Sequence, residues 1–147
     1  MDLAAEITEL LKSLDEKLRI DSPQFEEQAK KAAQLMSLWG RMFARAKLHL
    51  KNVELSFEIW EANTEISVRE FLEAKYQHDL QVNTKAEKPT EAKVKANVKR
   101  DKEYALKRRE VHDASYFVDV CEKAGYESFK QQCYLLNVVN QIMLKQK

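Results

Sequence analysis

Residues 56–71, SFEIWEANTEISVREF, lie in the middle of the longest part of this chain that no glycine or proline interrupts. The segment holds no residue that ends a helix, and its apolar side chains fall on two sides of a helix rather than on one. A helix that is apolar on two sides must be covered by two neighbours. The chain has only 147 residues, so what covers the second side is the central question of its fold.

The helix that contains this segment is predicted to run from a turn at Ser22 and Pro23 to about Gln77. Serine is a good N-cap and proline suits the first helical position, while Gly40 is the one weakening residue inside. One apolar face is formed by Leu35, Trp39, Met42, Ala46, Leu50, Val53, Phe57, Trp60, Val68 and Phe71. The second face is formed by Leu48, Leu55, Ile59 and Ile66, at spacings of seven, four and seven. Because so short a chain has few helices, the second face predicts self-association, and a hairpin partner within the chain is the alternative.

Shorter helices are predicted on both sides of the long one. Apolar residues recur every three or four positions over residues 3–18, as on one face of a short amphipathic helix. Residues 78–92 hold the turn residues of a linker. Within it Thr90 can cap a basic helix that runs to about Lys123 and ends at Gly125 as its C′ residue. The final segment is apolar around most of its circumference, which predicts burial in an interface with another subunit.

The resulting prediction is an all-α chain that packs into a homo-oligomeric helical assembly. Residues 1–147 are expected to form one helical domain, with N-terminal helices to about residue 77, a linker at 78–92, and a basic helix and an apolar oligomerisation helix at 93–147. The residues predicted to line the oligomer interface are Leu48, Leu55, Ile59, Ile66, Leu135, Leu136, Val139, Ile142 and Met143.

The sequence lacks the residues that several classes of protein need for their chemistry. Two glycines cannot build a glycine-rich phosphate loop, and three widely separated histidines lack the spacing of metal ligands. Cys121 and Cys133 have no CxxC spacing and are interpreted as reduced core thiols in a cytosolic protein. No apolar run is long enough to cross a membrane. We therefore predict a protein that is not an enzyme and needs no metal or cofactor.

Charge is distributed unevenly along the chain, although the net charge is only +1. Residues 40–53 carry four basic side chains and no acid, and residues 85–109 carry ten basic and four acidic ones. Two basic blocks on helices, with Trp39 and Phe43 beside one and Tyr104 within the other, fit a track for phosphates with aromatic rings that stack on bases. The predicted DNA-binding residues are Arg41, Arg45, Lys47, Lys51, Lys93, Lys95, Lys99, Arg100, Lys102, Lys107, Arg108 and Arg109. Solvated helix faces also look like this, and that interpretation is the alternative.

Scattered identities at matching separations resemble one known family. Ile20, Asp21 and Ser22 followed by Trp39 resemble the N-terminal signature of the UvsY-type recombination mediators of T-even-like phages. Further along, two more elements are similar to that family's Asp-Lys-acidic and Asp-x-Cys elements. These are Asp101, Lys102 and Glu103, and then Asp119, Val120 and Cys121. The resemblance covers most of the chain, from about residue 20 to the C-terminal helix.

The resemblance implies a function as well as a fold. A UvsY-type protein is a helical homo-oligomer, a hexameric or heptameric ring, that binds single-stranded DNA in the cytoplasm of the infected bacterial host. It contacts the phage recombinase and the single-strand-binding protein and helps the recombinase to replace the latter, in recombination-dependent replication and repair. The C-terminal helix is associated with oligomerisation in that family.

One departure from the family leaves two functions open. The family's basic Lys-Ala-Arg element falls, by ungapped spacing from the tryptophan, on Ala62, Asn63 and Thr64, none of which is basic. Those DNA-binding residues therefore cannot be carried over to this chain. The first hypothesis is a recombination mediator that binds DNA through the basic blocks listed above. The second is a helical oligomeric scaffold or adaptor that binds only protein partners.

Overall fold

The structure is a computed structural model, and it describes residues 2–18, 25–83 and 85–145. Its helices are α1 (Leu3–Lys12), α2 (Leu14–Leu18), α3 (Phe25–Val82), α4 (Glu91–Lys99), α5 (Lys102–Val120), a π-helical segment (Cys121–Glu127) and α6 (Ser128–Lys145). These described ranges contain no strand, so the predicted all-α fold class is confirmed. The oligomeric assembly stays a prediction. The predicted start of the long helix at Ser22 and Pro23 lies outside the described residues.

Helix α3 is the long helix predicted around residues 56–71, and it extends over 58 residues. It ends later than predicted, at Val82 rather than near Gln77, so the non-helical connection is shorter than the predicted linker. The chain turns at Asn83, whose side-chain oxygen accepts a hydrogen bond from the backbone N–H of Lys85 at 3.0 Å. An asparagine that bonds the backbone two residues on forms a turn of its own, which competes with the helix.

The predicted basic helix is two helices with different caps. Thr90 caps α4 as predicted, since its hydroxyl accepts a hydrogen bond from the Lys93 N–H at 3.2 Å. α4 stops at Lys99, and Asp101 then caps α5 by accepting from the Glu103 N–H at 2.9 Å. The prediction of one helix from Thr90 to Lys123 was wrong because an aspartate offers its carboxylate to a new helix start more readily than it continues an old helix.

Contacts between residues group the chain into two compact units, which are described separately. One consists of Met1–Leu50 and Ala114–Lys147, and the other of Lys51–Asp113. Both units contain part of α3 and part of α5. The prediction of a single domain stays a prediction.

The core of the first unit is built around Trp39, which is 1% exposed. Its buried neighbours in the core are Ile7, Met42, Ala46, Cys121 and Phe129. The apolar side of α1 and α2 packs against this core, as the spacing over residues 3–18 predicted. A turn at Ser13 divides the predicted helix there into α1 and α2.

Gly125 lies inside the π-helical segment and does not end a helix. Its φ is not positive, so the prediction of a C′ glycine was wrong. A Cβ at this position would lie 2.8 Å from Cγ of Trp39 and closer still to Cδ2 and Cε3. The missing side chain of Gly125 therefore makes room for a buried indole ring, and turn formation plays no part.

In the second unit the later part of α3 packs against α4 and the start of α5. Leu72, Val94 and Val98 are buried there. Phe71, which was predicted to lie on the packed stripe, is instead 68% exposed. Leu72, one position further on, takes its place because it falls on the side of α3 that is buried. The guanidinium of Arg69 lies 2.6 Å from the Glu91 carboxylate, which adds an exposed ion pair between α3 and α4.

Candidate nucleic-acid interface

Eight of the basic side chains that the structure describes lie close together in sequence on α4 and α5. Seven of these side chains are exposed and Lys107 is half-buried. None of the eight forms an ion pair with a carboxylate in the described part of the chain. Lys102 and Arg109 are two turns apart on α5 and share one face of it, about 10 Å apart along the axis. The group consists of Lys93, Lys95, Lys99, Arg100, Lys102, Lys107, Arg108 and Arg109.

Three of the acids beside these cations are engaged by other groups. The Glu91 carboxylate is held by Arg69, and the Asp101 carboxylate caps α5. The Glu103 carboxylate accepts a hydrogen bond from Nε1 of Trp60 at 2.9 Å. These three anions thus take part in packing α4 and α5 and in capping α5, while most of the cations beside them are exposed and none forms an ion pair with a described carboxylate. An anionic ligand meets unpaired positive charge here.

Three aromatic rings form a cluster beside these cations. The ring centroids of Phe57 and Tyr104 are 5.8 Å apart, and those of Phe57 and Trp60 are 6.1 Å apart. The guanidinium of Arg108 lies 5.8 Å from the centroid of Phe57, a cation–π distance. All three rings are half-buried. Tyr104 therefore takes part in the packing of α5 on α3. This differs from the prediction that its ring is free to stack on bases.

The basic block on α3 offers fewer free cations than the sequence suggested. Arg45 is bound to Glu6 of α1 through an ion pair of 2.8 Å. This pairing lowers the pKa of Glu6, chiefly through the hydrogen bond from Arg45, and raises the pKa of Arg45. The ammonium of Lys47 lies 4.2 Å from the centroid of the Phe43 ring. Arg41 and Lys51 are exposed and form no ion pair with a described carboxylate.

The aromatic residues near this α3 block are not available to a ligand. Trp39 is buried in the core, as its place on the apolar face of the long helix predicted, so it is not available to stack on bases beside a phosphate track. Phe43 is half-buried, and its ring stacks on Tyr126 with centroids 6.4 Å apart and planes 7° apart. No sequence pattern distinguishes a core tryptophan from a stacking one, because both occur on an amphipathic helix beside basic residues.

The second apolar face of α3 is open to solvent. Leu48 is 61% exposed, and Leu55, Ile59 and Ile66 are each more than half exposed. No helix in the described residues covers this face, so a hairpin partner within the chain does not explain it. The polar stretch at Ala62, Asn63 and Thr64 carries no cation, as the sequence already indicated.

The apolar residues of α6 divide into a buried and an exposed set. Leu136 is 1% exposed and packs against Ala32 of its own chain. It is therefore not available for the subunit contact that the sequence predicted. Leu135, Val139 and Ile142 are 37–52% exposed and stay candidates for an oligomer interface. The side chain of Met143 lies outside the described part of the chain.

Several residues of the elements that carry the family resemblance have structural roles. Asp101 and Glu103 cap α5 and bind Trp60, and Cys121 is fully buried in the core. Burial raises the pKa of the Cys121 thiol to about 11. Ile20, Asp21 and Ser22 lie outside the described residues. No His, Cys, Asp or Glu group within the described ranges is arranged to hold a metal ion.

Comparisons with known proteins leave the family open. Neither a protein-family model, nor a curated protein, nor a solved structure matches the chain significantly. Among the described residues no helix has both the length and the apolar character needed to cross a membrane.

Proposed function

We propose that this chain is a non-enzymatic, single-stranded-DNA-binding recombination mediator of the UvsY type. The observation that supports it most is the contrast on α4 and α5. Eight cations have no described carboxylate partner, while three nearby acids, Glu91, Asp101 and Glu103, are bound elsewhere. Such an arrangement keeps positive charge available to successive phosphates, and each phosphate contact releases condensed counterions.

The proposed ligand is a single strand held by its backbone. A flexible strand can follow cations that are spread over two helices joined by a short turn. The single-chain contact is expected to be weak because every contact is exposed and screened by salt. Several copies in one assembly that hold the same strand convert weak contacts into tight binding. Oligomer formation is therefore part of the proposal.

The salt dependence of binding tests the proposed track. If all eight cations contact phosphates, the slope of log K against log salt for a single strand is about −6, at roughly −0.7 for each contact. Replacing Lys99, Arg100, Arg108 and Arg109 with alanine is expected to reduce the slope to about −3. Fluorescence anisotropy of a labelled oligonucleotide at a series of salt concentrations measures both slopes.

A matched control separates the track from net charge. Exposed lysines of the first unit, Lys12, Lys30, Lys31 and Lys123, can be replaced with alanine to remove the same total charge. This control is expected to keep a slope near −6. Equal losses in both variants would show that binding is unspecific attraction to net charge. If oligomeric wild-type protein does not bind the oligonucleotide at low salt, the DNA-binding function is excluded. The alternative, an adaptor that binds only protein partners, would then stand.

The mediator role is tested separately from DNA binding. We expect this protein to shorten the lag before a phage recombinase assembles on a strand that is coated with single-strand-binding protein. It acts by holding the strand while the two other proteins exchange, in the cytoplasm of an infected bacterial host. A protein that binds DNA but leaves the lag unchanged would be a DNA-binding scaffold and not a mediator.

A further inference from the structure

The open face of α3 has the spacing of a helix that packs lengthwise on another helix. Its residues recur at alternating steps of four and three, the a and d positions of a heptad, which place one seam against a partner helix. The four aliphatic members are 53–61% exposed, and the other two are exposed as well. The seam consists of Leu48, Asn52, Leu55, Ile59, Ala62 and Ile66. It is about 27 Å long at 1.5 Å per residue.

Charge along α3 changes sign in the middle of this seam. Residues 41–56 carry four cations and one acid, a net charge of +3. Residues 58–73 carry five acids and one cation, a net charge of −4. A partner of complementary charge must therefore be acidic beside the first half and basic beside the second. The same helix running in the opposite direction has that charge distribution.

We propose that the seam binds the seam of a second copy of this chain in antiparallel orientation, about a two-fold axis near Phe57. Leu48 then packs opposite Ile66 of the second copy, and Leu55 opposite Ile59. Asn52 faces the small side chain of Ala62, which leaves its amide room to reach solvent. Each basic half lies along an acidic half, and each contact occurs twice because the interface is isologous.

A parallel pair with the same seam is disfavoured by the same charges. In parallel register, residues 41–56 of both copies lie side by side, and so do residues 58–73. Like charges then face each other along both halves, whereas the antiparallel pair replaces both repulsions with attractions. In a parallel pair each seam residue faces the same residue of the second copy, so Asn52 faces Asn52. These contacts do not remove the repulsion between the like charges.

This pairing is independent of DNA binding and separate from any contact through α6. A two-fold contact joins two chains and then closes, so by itself it does not build a ring. Removing it is therefore expected to halve the mass of the assembly and to leave a ring through α6 in place.

Cysteine cross-linking tests the orientation. In a Cys133→Ser background, one preparation carries Leu48→Cys and a second carries Ile66→Cys. An antiparallel seam predicts a disulfide-linked dimer when the two are mixed and oxidised, and no dimer from Ile66→Cys alone, whose two copies lie about 27 Å apart. The background protein, in which Cys121 is buried, is the oxidation control. A dimer from Ile66→Cys alone would establish a parallel pair and overturn the proposal.

Sedimentation of seam variants tests whether the pair exists. Ile59→Asp is expected to raise the dissociation constant of the two-fold contact by roughly 100-fold or more, since the change is met twice across the axis. Phe71→Asp, an exposed apolar residue of α3 off the seam, is expected to leave it unchanged. If the two variants sediment alike, or if the wild-type seam pairs with no second copy at micromolar concentration, the seam does not bind a second copy and the inference fails.

Discussion

Replacing Gly125 with alanine tests the packing that organises the first unit. A Cβ there would lie 2.8 Å from Cγ of Trp39, whereas carbon atoms in good contact are about 3.5–4.0 Å apart. It would lie closer still to Cδ2 and Cε3, so the fully buried ring must shift by about 1.5 Å or more in a filled core. Overpacking of this kind costs roughly 3 kcal/mol. Better helix propensity returns about 0.5–1 kcal/mol. The expected net loss is about 2 kcal/mol of unfolding free energy.

The assay is thermal unfolding followed by circular dichroism, with Gly40→Ala as the matched control. For a chain of this size a loss of about 2 kcal/mol lowers the melting temperature by roughly 4–8 °C. A Cβ at Gly40 would lie 3.6 Å from the Tyr126 ring, which is ordinary contact. Gly40→Ala is therefore expected to raise the melting temperature by about 1–4 °C, because only the helix-propensity gain remains.

Opposite signs for the two glycine variants are the decisive result. If Gly125→Ala is as stable as the wild type, the indole does not depend on the missing Cβ and the packing argument fails. A double variant with Trp39→Leu adds a check on the cause. The smaller side chain leaves room for the new methyl group. The double variant is therefore expected to lose less stability than the sum of the two single variants, by about 1 kcal/mol or more.

Three further results are expected. Glu6→Gln should flatten the dependence of unfolding free energy on pH in urea titrations. The hydrogen bond from Arg45 lowers the Glu6 pKa, so its stabilisation is present above the ordinary value of 4.5 and is lost as pH falls through the lowered pKa; an unchanged profile would contradict this. Cys121 should react with a thiol reagent at pH 8 only on unfolding, because burial raises its pKa to about 11. Half-buried Cys133 should react faster, and equal rates would contradict the difference in burial. Thr90→Ala should cost about 1 kcal/mol through loss of the α4 cap, measured by denaturant unfolding, whereas no loss would show that the cap bond is not formed in solution.

The candidate interface could be predicted from the sequence only as a set of residue types. The basic character of α4 and α5 is evident from residues 85–109, and none of these eight cations forms an ion pair with a described carboxylate. Spacing along one helix cannot indicate that Arg45 is bound to Glu6, because the two residues are 39 positions apart. For the same reason the hydrogen bond from Trp60 to Glu103 was not predicted.

The sequence by itself determined the all-α character, the long central helix and the cap at Thr90. A chain with so little glycine and proline has few places where helices end, and local propensity together with a side-chain cap at Thr90 acts over a few residues that are adjacent in sequence. The tertiary structure alone decided which apolar faces are covered. It placed Trp39 against Gly125, turned Leu72 inward instead of Phe71, and left the second face of α3 in solvent. Periodicity reports that a face is apolar, but burial depends on which distant helix arrives there, and no local pattern contains that information.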